Sequence, residues 1–187
     1  VVNVLSEKPF FSEQGNRTEG EFFGRVSSAE SSWSGRLGGQ VATPDWFAEA
    51  SHAERSFGDL AGGRDVGVQK ATGYDSRGTN LRLARKLSDD SRLTFGFQRV
   101  FMDDVPRTHK TTDGLSWKGL SQGSELWRRL DQERRMSYGR LSWDEAEGIA
   151  DAGVITLSLH QHEQDRNRMK TSGGDIQSFD LDDLGIS

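Results

Sequence analysis

Apolar and polar residues alternate along much of this chain. The stretch TNLRLARKLSDDSRLTFGFQRVF, residues 79–101, puts Leu81, Leu83 and Leu87 at odd positions before a polar turn. Leu93, Phe95, Phe97 and Phe101 stand at odd positions after it, and Asn80, Arg82, Lys86, Thr94 and Gln98 fall between. A period of two predicts strands with one apolar and one polar face. The Ser88-Asp89-Asp90-Ser91 run predicts a tight turn between two of them.

The same period predicts about seven strands: 18–28, 32–42, 45–54, 74–87, Arg92 to about Met102, 132–143 and 153–164. In the second, Trp33, Leu37 and Val41 share a face opposite Arg36 and Gln40. In the seventh, Ile155, Leu157 and Leu159 oppose Thr156, Ser158, His160 and His162. Short connections are expected near 29–31, 43–45, 88–91 and 144–152. Long ones are expected near 55–74, 104–131 and from 165 onward. Strands of about ten residues with short turns at one end and long loops at the other predict part of an outer-membrane β-barrel, with apolar residues toward lipid and polar ones toward a wet or plugged lumen. Trp33, Trp46, Tyr74, Phe101, Tyr138 and Trp143 stand near predicted strand ends, where an interfacial girdle would lie. Arg85 and Arg99 take the lipid-facing parity. Their placement toward strand ends allows snorkelling. Met136 and Tyr138 have the opposite parity to Leu141 and Trp143, which predicts a bulge or a shifted boundary there.

Composition fits a wet interior. Only 33% of the 187 residues are apolar, or about 45% with the 22 glycines, against roughly 45–50% in ordinary globular domains. Five Trp, two Tyr and ten Phe argue against disorder. A net charge of -5 argues against a nucleic-acid binder. The absence of cysteine excludes disulfide, zinc-thiolate and thiol chemistry. No run of 18 apolar residues predicts a membrane helix. The opening VVNVLSEKP has the character of mid-strand sequence, so the chain is expected to be a fragment of a larger protein.

Candidate chemistry is sparse. There is no G-x-S-x-G or H-E-x-x-H, and no enzymatic activity or cofactor is expected. His160 and His162 share a strand face but lack a third ligand, so they are read as polar lumen residues rather than a metal site. Asp103-Asp104 and Asp180, Asp182 and Asp183 lack a calcium-loop spacing and are read as solvated charge. The stretch 104–131 is cationic and aromatic. Its Arg107, His109, Lys110, Trp117, Trp127 and Arg128 are the candidate ligand-binding residues, suited to an anionic chelate through charge and cation–π contact.

Three segments carry a family resemblance. VVNVLSEKP (1–9) is similar to the end of the plug domain of TonB-dependent outer-membrane receptors, where a V-N-V-I-T-x-x-P stretch occurs. DDVPRTHKT (103–111) and LDQERRMSYGRLSW (130–143) resemble the third extracellular loop and the strand after it. The resemblance implies a 22-stranded transmembrane barrel around an N-terminal plug. It assigns residues 1–14 to the end of the plug and 15–187 to the first part of the barrel. It further implies active uptake of a scarce ligand such as a ferric siderophore or cobalamin, driven by the inner-membrane TonB complex, in a bacterial outer membrane with its lipid and lipopolysaccharide. The TonB box, most of the plug, two-thirds of the barrel and a terminal aromatic have no counterpart in the sequence. A small complete outer-membrane barrel or adhesin, and a soluble β-sandwich binding module, are the alternatives.

Overall fold

The computed structural model describes residues 9–63, 66–114, 121–144 and 151–187. It is all-β, with one turn of 3-10 helix at Thr108–Lys110 and no α-helix among the described residues. Eight strands form one antiparallel sheet: β1 (Arg17–Ser27), β2 (Ser32–Ala42), β3 (Trp46–Phe57), β6 (Tyr74–Lys86), β7 (Ser91–Pro106), β8 (Glu125–Trp143), β9 (Gly153–Lys170) and β10 (Gly173–Ile186). Each pairs with the next in chain order, and β1 and β10 are the sheet's two outer strands. Between β3 and β6, β4 (Leu60–Ala61) and β5 (Val68–Gln69) make a separate two-stranded ribbon.

The expected seven strands are therefore eight. The segment from 165 onward is not a long connection: β9 runs on to Lys170 and turns at Thr171-Ser172 straight into β10. The polar, acidic composition of this hairpin hid its period. β10 carries Asp175, Asp180, Asp182 and Asp183, and its apolar residues fall on both parities. Strand β8 also begins earlier than expected, at Glu125, because a register shift near Leu126 breaks the period.

Chain-local chemistry sets the ends. At 43–45 the Thr43 hydroxyl accepts the backbone N–H groups of Asp45 (3.3 Å) and Trp46 (2.9 Å), and Thr43 N–H donates to the Trp46 carbonyl at 2.7 Å. At 87–90, Leu87 N–H reaches the Ser91 carbonyl at 2.9 Å and Lys86 binds Asp89 at 2.7 Å. These turns share one end of the sheet. The described residues of the connections after β3 and after β7, and the Thr171-Ser172 turn, lie at the other.

Register makes the two faces continuous. Val41, Ala48, Leu83, Phe95, Gly139, Leu157 and Ile186 form one cross-strand row, and Ala50, Leu81, Phe97, Ser137, Leu159 and Leu184 the next. This apolar face is bare: Phe22, Leu37, Phe95, Leu157 and Leu184 range from 53% to 79% exposed. Nothing among the described residues packs a second layer on it. The opposite face is buried along the middle strands, at Ser76, Ala84, Thr94, Ser142 and Thr156, and open on the outer strands, where Phe23 and Leu181 are exposed. A small hydrophobic cluster of Ala42, Phe47 and Ala84 sits on this face, near the short-turn end. Residues Phe10 and Phe11 pack against it, the Phe10 and Phe47 rings 5.4 Å apart. Ser12 N–H donates to the Thr43 carbonyl at 3.0 Å, which ties this N-terminal segment to the first turn.

Two local expectations change. No bulge lies between Met136 and Trp143. Met136 and Tyr138 belong to the polar face and Leu141 and Trp143 to the apolar one, in unbroken register with β7 and β9. Arg99 is not toward a strand end, since β7 continues to Pro106. Its charge is met across the strands by Glu133 at 2.6 Å. Of the girdle residues, Trp33, Trp46, Phe101 and Trp143 share the apolar parity, whereas Tyr138 lies on the polar face and Tyr74 stacks there on Phe57 with centroids 4.7 Å apart.

Candidate functional site

Two regions concentrate polar chemistry. The first is the polar face. Arg82 on β6 lies between the Phe47 ring, 5.1 Å from its guanidinium, and the Glu49 carboxylate at 2.5 Å. Asn80 donates to Glu49 at 3.4 Å, Gln98 donates to Asn80 at 3.3 Å, and Gln40 donates to Glu19 at 2.7 Å. Arg36 pairs with Glu21 at 2.9 Å. Alternation puts these groups on one face because Glu19, Glu21, Arg36, Gln40, Glu49, Asn80, Arg82 and Gln98 all fall on the same parity of their strands. They border a cleft of about 510 Å³ with Tyr138 on its far wall. The side chains bordering the cleft present both hydrogen-bond donors and acceptors.

The second region is the long-loop end. The ribbon loop is closed by Asp59, whose carboxylate accepts the backbone N–H groups of Thr72 (2.9 Å) and Gly73 (3.3 Å). Those bonds stabilise the charged form and hold the Asp59 carboxyl below the usual aspartate range. Thr72 completes the buckle: its hydroxyl accepts Leu60 N–H and donates to the Gln69 carbonyl, each at 2.8 Å. Between this loop and the next is a pocket of about 200 Å³, lined by Val66, Val68, Lys70, Thr72, Thr108 and Asp113.

Beside it, Glu125 is 4% exposed and bonds to Arg128 and, at 3.5 Å, to Arg168. Arg168 also grips Asp175 with bonds of 2.5 and 2.7 Å. The backbone joins this network to the loop, as Thr112 N–H donates to the Glu125 carbonyl at 2.8 Å. A register shift in β7 after Met102 holds Asp104 at a φ of +57°, with Arg129 bonded to its carboxylate at 2.8 Å and its backbone N–H given to Asp131.

The loop candidates divide accordingly. Arg107, His109 and Lys110 are exposed around the 3-10 turn, and Arg107 N–H bonds to the Arg128 carbonyl at 3.0 Å. Trp127 and Arg128 lie on β8 rather than in a loop; Trp127 is 40% exposed and Arg128 is engaged by Glu125. Trp117 lies outside the described residues. His160 and His162 share the polar face, with His162 edge-on to Phe179 at 5.9 Å. No group of three or more His, Cys, Asp or Glu side chains among the described residues is placed to hold a metal ion. The signal that sequence reading missed is cross-strand: Glu49 with Arg82, and Glu125 with Arg168, are 33 and 43 residues apart in the chain.

Compared with known proteins, the chain has no significant match to a family model, to a curated protein or to a solved structure.

Proposed function

We propose that this chain is part of a TonB-dependent outer-membrane receptor, spanning the end of its plug and the first strands of its barrel. In this reading the whole protein takes up a scarce ligand such as a ferric siderophore or cobalamin. One observation carries it: the apolar face is bare over eight consecutive antiparallel strands, while the opposite face is buried and bonded along the middle strands. A soluble sandwich would cover that apolar face with a second sheet about 10 Å away. In a bilayer, lipid covers it instead, and further strands on the outer strands of the sheet would satisfy the backbone groups that hydrocarbon cannot.

Phe10 and Phe11 add support, because a plug segment entering a lumen would meet the polar face at the short-turn, periplasmic end, where they sit. The long loops then face outward, and Arg107, His109, Lys110 and Trp127 take the role of ligand contacts. Arg128 is assigned to holding the loop base through Glu125. The eight-stranded small barrel is a rival on strand count, but β1 and β10 are not paired with each other.

Sequencing the gene on both sides of this segment tests the reading. It expects a TonB box and about a hundred plug residues upstream, and further alternating strands ending in an aromatic downstream. A coding region that adds neither plug nor strands overturns it.

A further inference from the structure

The cations bordering the apolar face are treated differently at its two limits. Toward the long loops, Arg99 binds Glu133 at 2.6 Å, Arg135 binds Glu133 at 2.6 Å and Glu163 at 3.1 Å, and Arg77 lies 3.9 Å from Glu54. These form a self-neutralised ladder. Toward the short turns stands Arg85, next to last in β6 and two residues beyond Leu83. It is exposed, and among the described residues it has no carboxylate partner. Its guanidinium lies 5.0 Å from the ring centre of Trp46, its cross-strand partner, itself 43% exposed. The turn carboxylates do not serve it: Lys86, of the opposite parity, binds Asp89 and attracts Asp45 and Asp90.

A guanidinium against a ring face keeps its N–H donors in the plane of the fork, free for an oxygen anion. Across the strands from Arg85 is Leu93, and Leu83 lies on the apolar side. An anion there would sit where apolar chain contacts begin. We infer that Arg85 and Trp46 form a seat for the phosphate of a membrane glycerophospholipid, whose acyl chains lie along Leu83 and Leu93. The lipid is favoured over a free anion because the donors and the apolar surface adjoin. The inference rests on the membrane reading above and adds a specific lipid contact on the short-turn leaflet.

The test uses the protein as the cell makes it, extracted with its surrounding lipid and examined by native mass spectrometry. Retention of phosphatidylglycerol is expected to fall severalfold in Arg85→Gln and to persist in Arg85→Lys, while Arg77→Gln on the neutralised border leaves it unchanged. Equal retention in wild type and Arg85→Gln overturns the inference alone. A protein absent from the membrane fraction overturns the membrane reading and this inference together. Displacement of the lipid by inorganic phosphate assigns the site to a free anion and overturns the lipid seat. Should Arg85→Gln fail to assemble, the wild type decides. Its Arg85 side-chain N–H resonance is expected to shift in phosphatidylglycerol vesicles relative to phosphate-free galactolipid vesicles, and identical spectra sink the inference.

Discussion

The ring of Tyr138 lies on the backbone of Gly96, its cross-strand partner, so closely that a Cβ at residue 96 would fall 2.1 Å from a ring carbon. On the other face the next pair reverses the roles, with Phe95 over Gly139. An aromatic covering a strand glycine shields backbone that would otherwise be open and pins the register. Gly96→Ala is expected to displace Tyr138 and to cost about 1–3 kcal/mol, the usual penalty of overpacking. In a Tyr138→Ala background most of that cost is expected to vanish. A double-mutant cycle on equilibrium unfolding measures it, and additive effects would count against the contact.

The ion pair of Arg82 and Glu49 makes the polar face less tolerant than its exposure to a lumen suggests. The Arg82 side chain is 11% exposed and that of Glu49 is 19%. Arg82→Leu leaves the Glu49 carboxylate without its cation and, among the described residues, with only the long 3.4 Å bond from Asn80, at a cost of about 1–3 kcal/mol for a poorly satisfied polar group. Adding Glu49→Leu is expected to recover much of the loss, because two apolar groups replace a broken pair. Thermal unfolding of the single and double variants decides it. A double variant no better than Arg82→Leu would show that the pair is not the cause.

On the apolar face the same logic applies to Arg99. Glu133 neutralises both Arg99 and Arg135. On the membrane reading, Glu133→Gln leaves Arg99 without a carboxylate in the bilayer, at up to about 2–4 kcal/mol and less near the interface, while Arg135 keeps Glu163 at 3.1 Å. Arg99→Leu is expected to be milder, since Arg135 still neutralises Glu133. Phe95→Arg, with no carboxylate across from it, is expected to impair assembly most. Yields of assembled protein in the membrane fraction rank the three, and a milder Glu133→Gln than Arg99→Leu would falsify this account.

Acid is expected to open the ribbon loop. Asp59 accepts its two backbone N–H bonds far more strongly as a carboxylate than when protonated, and its folded-state pKa is lowered from the ordinary 3.8. A lowered carboxyl contributes stability that is present above 3.8 and is lost as pH falls through the depressed folded value. The Thr72 and Gly73 amide resonances should therefore be constant from neutral pH to about 4 and move together below it. Asp59→Asn should remove that step. A transition well above pH 4 would assign the opening to another group.

Alternation alone gave the antiparallel meander, the two-faced strands, the turns at 43–45 and 88–91, and the parity of Leu81, Leu83, Phe95 and Phe97. A strand places every second side chain on one face whatever its neighbours are. The sequence could not show the β9–β10 hairpin, because its polar residues give no contrast between faces. Nor could it show that Arg99 is balanced by Glu133, that Arg85 rests on Trp46, or that Arg128 serves Glu125 rather than solvent. Those relations join residues on different strands, and only register decides which of them meet. Bareness of the apolar face is likewise a tertiary fact. The period says that a face is apolar, and only the assembled sheet says whether protein covers it.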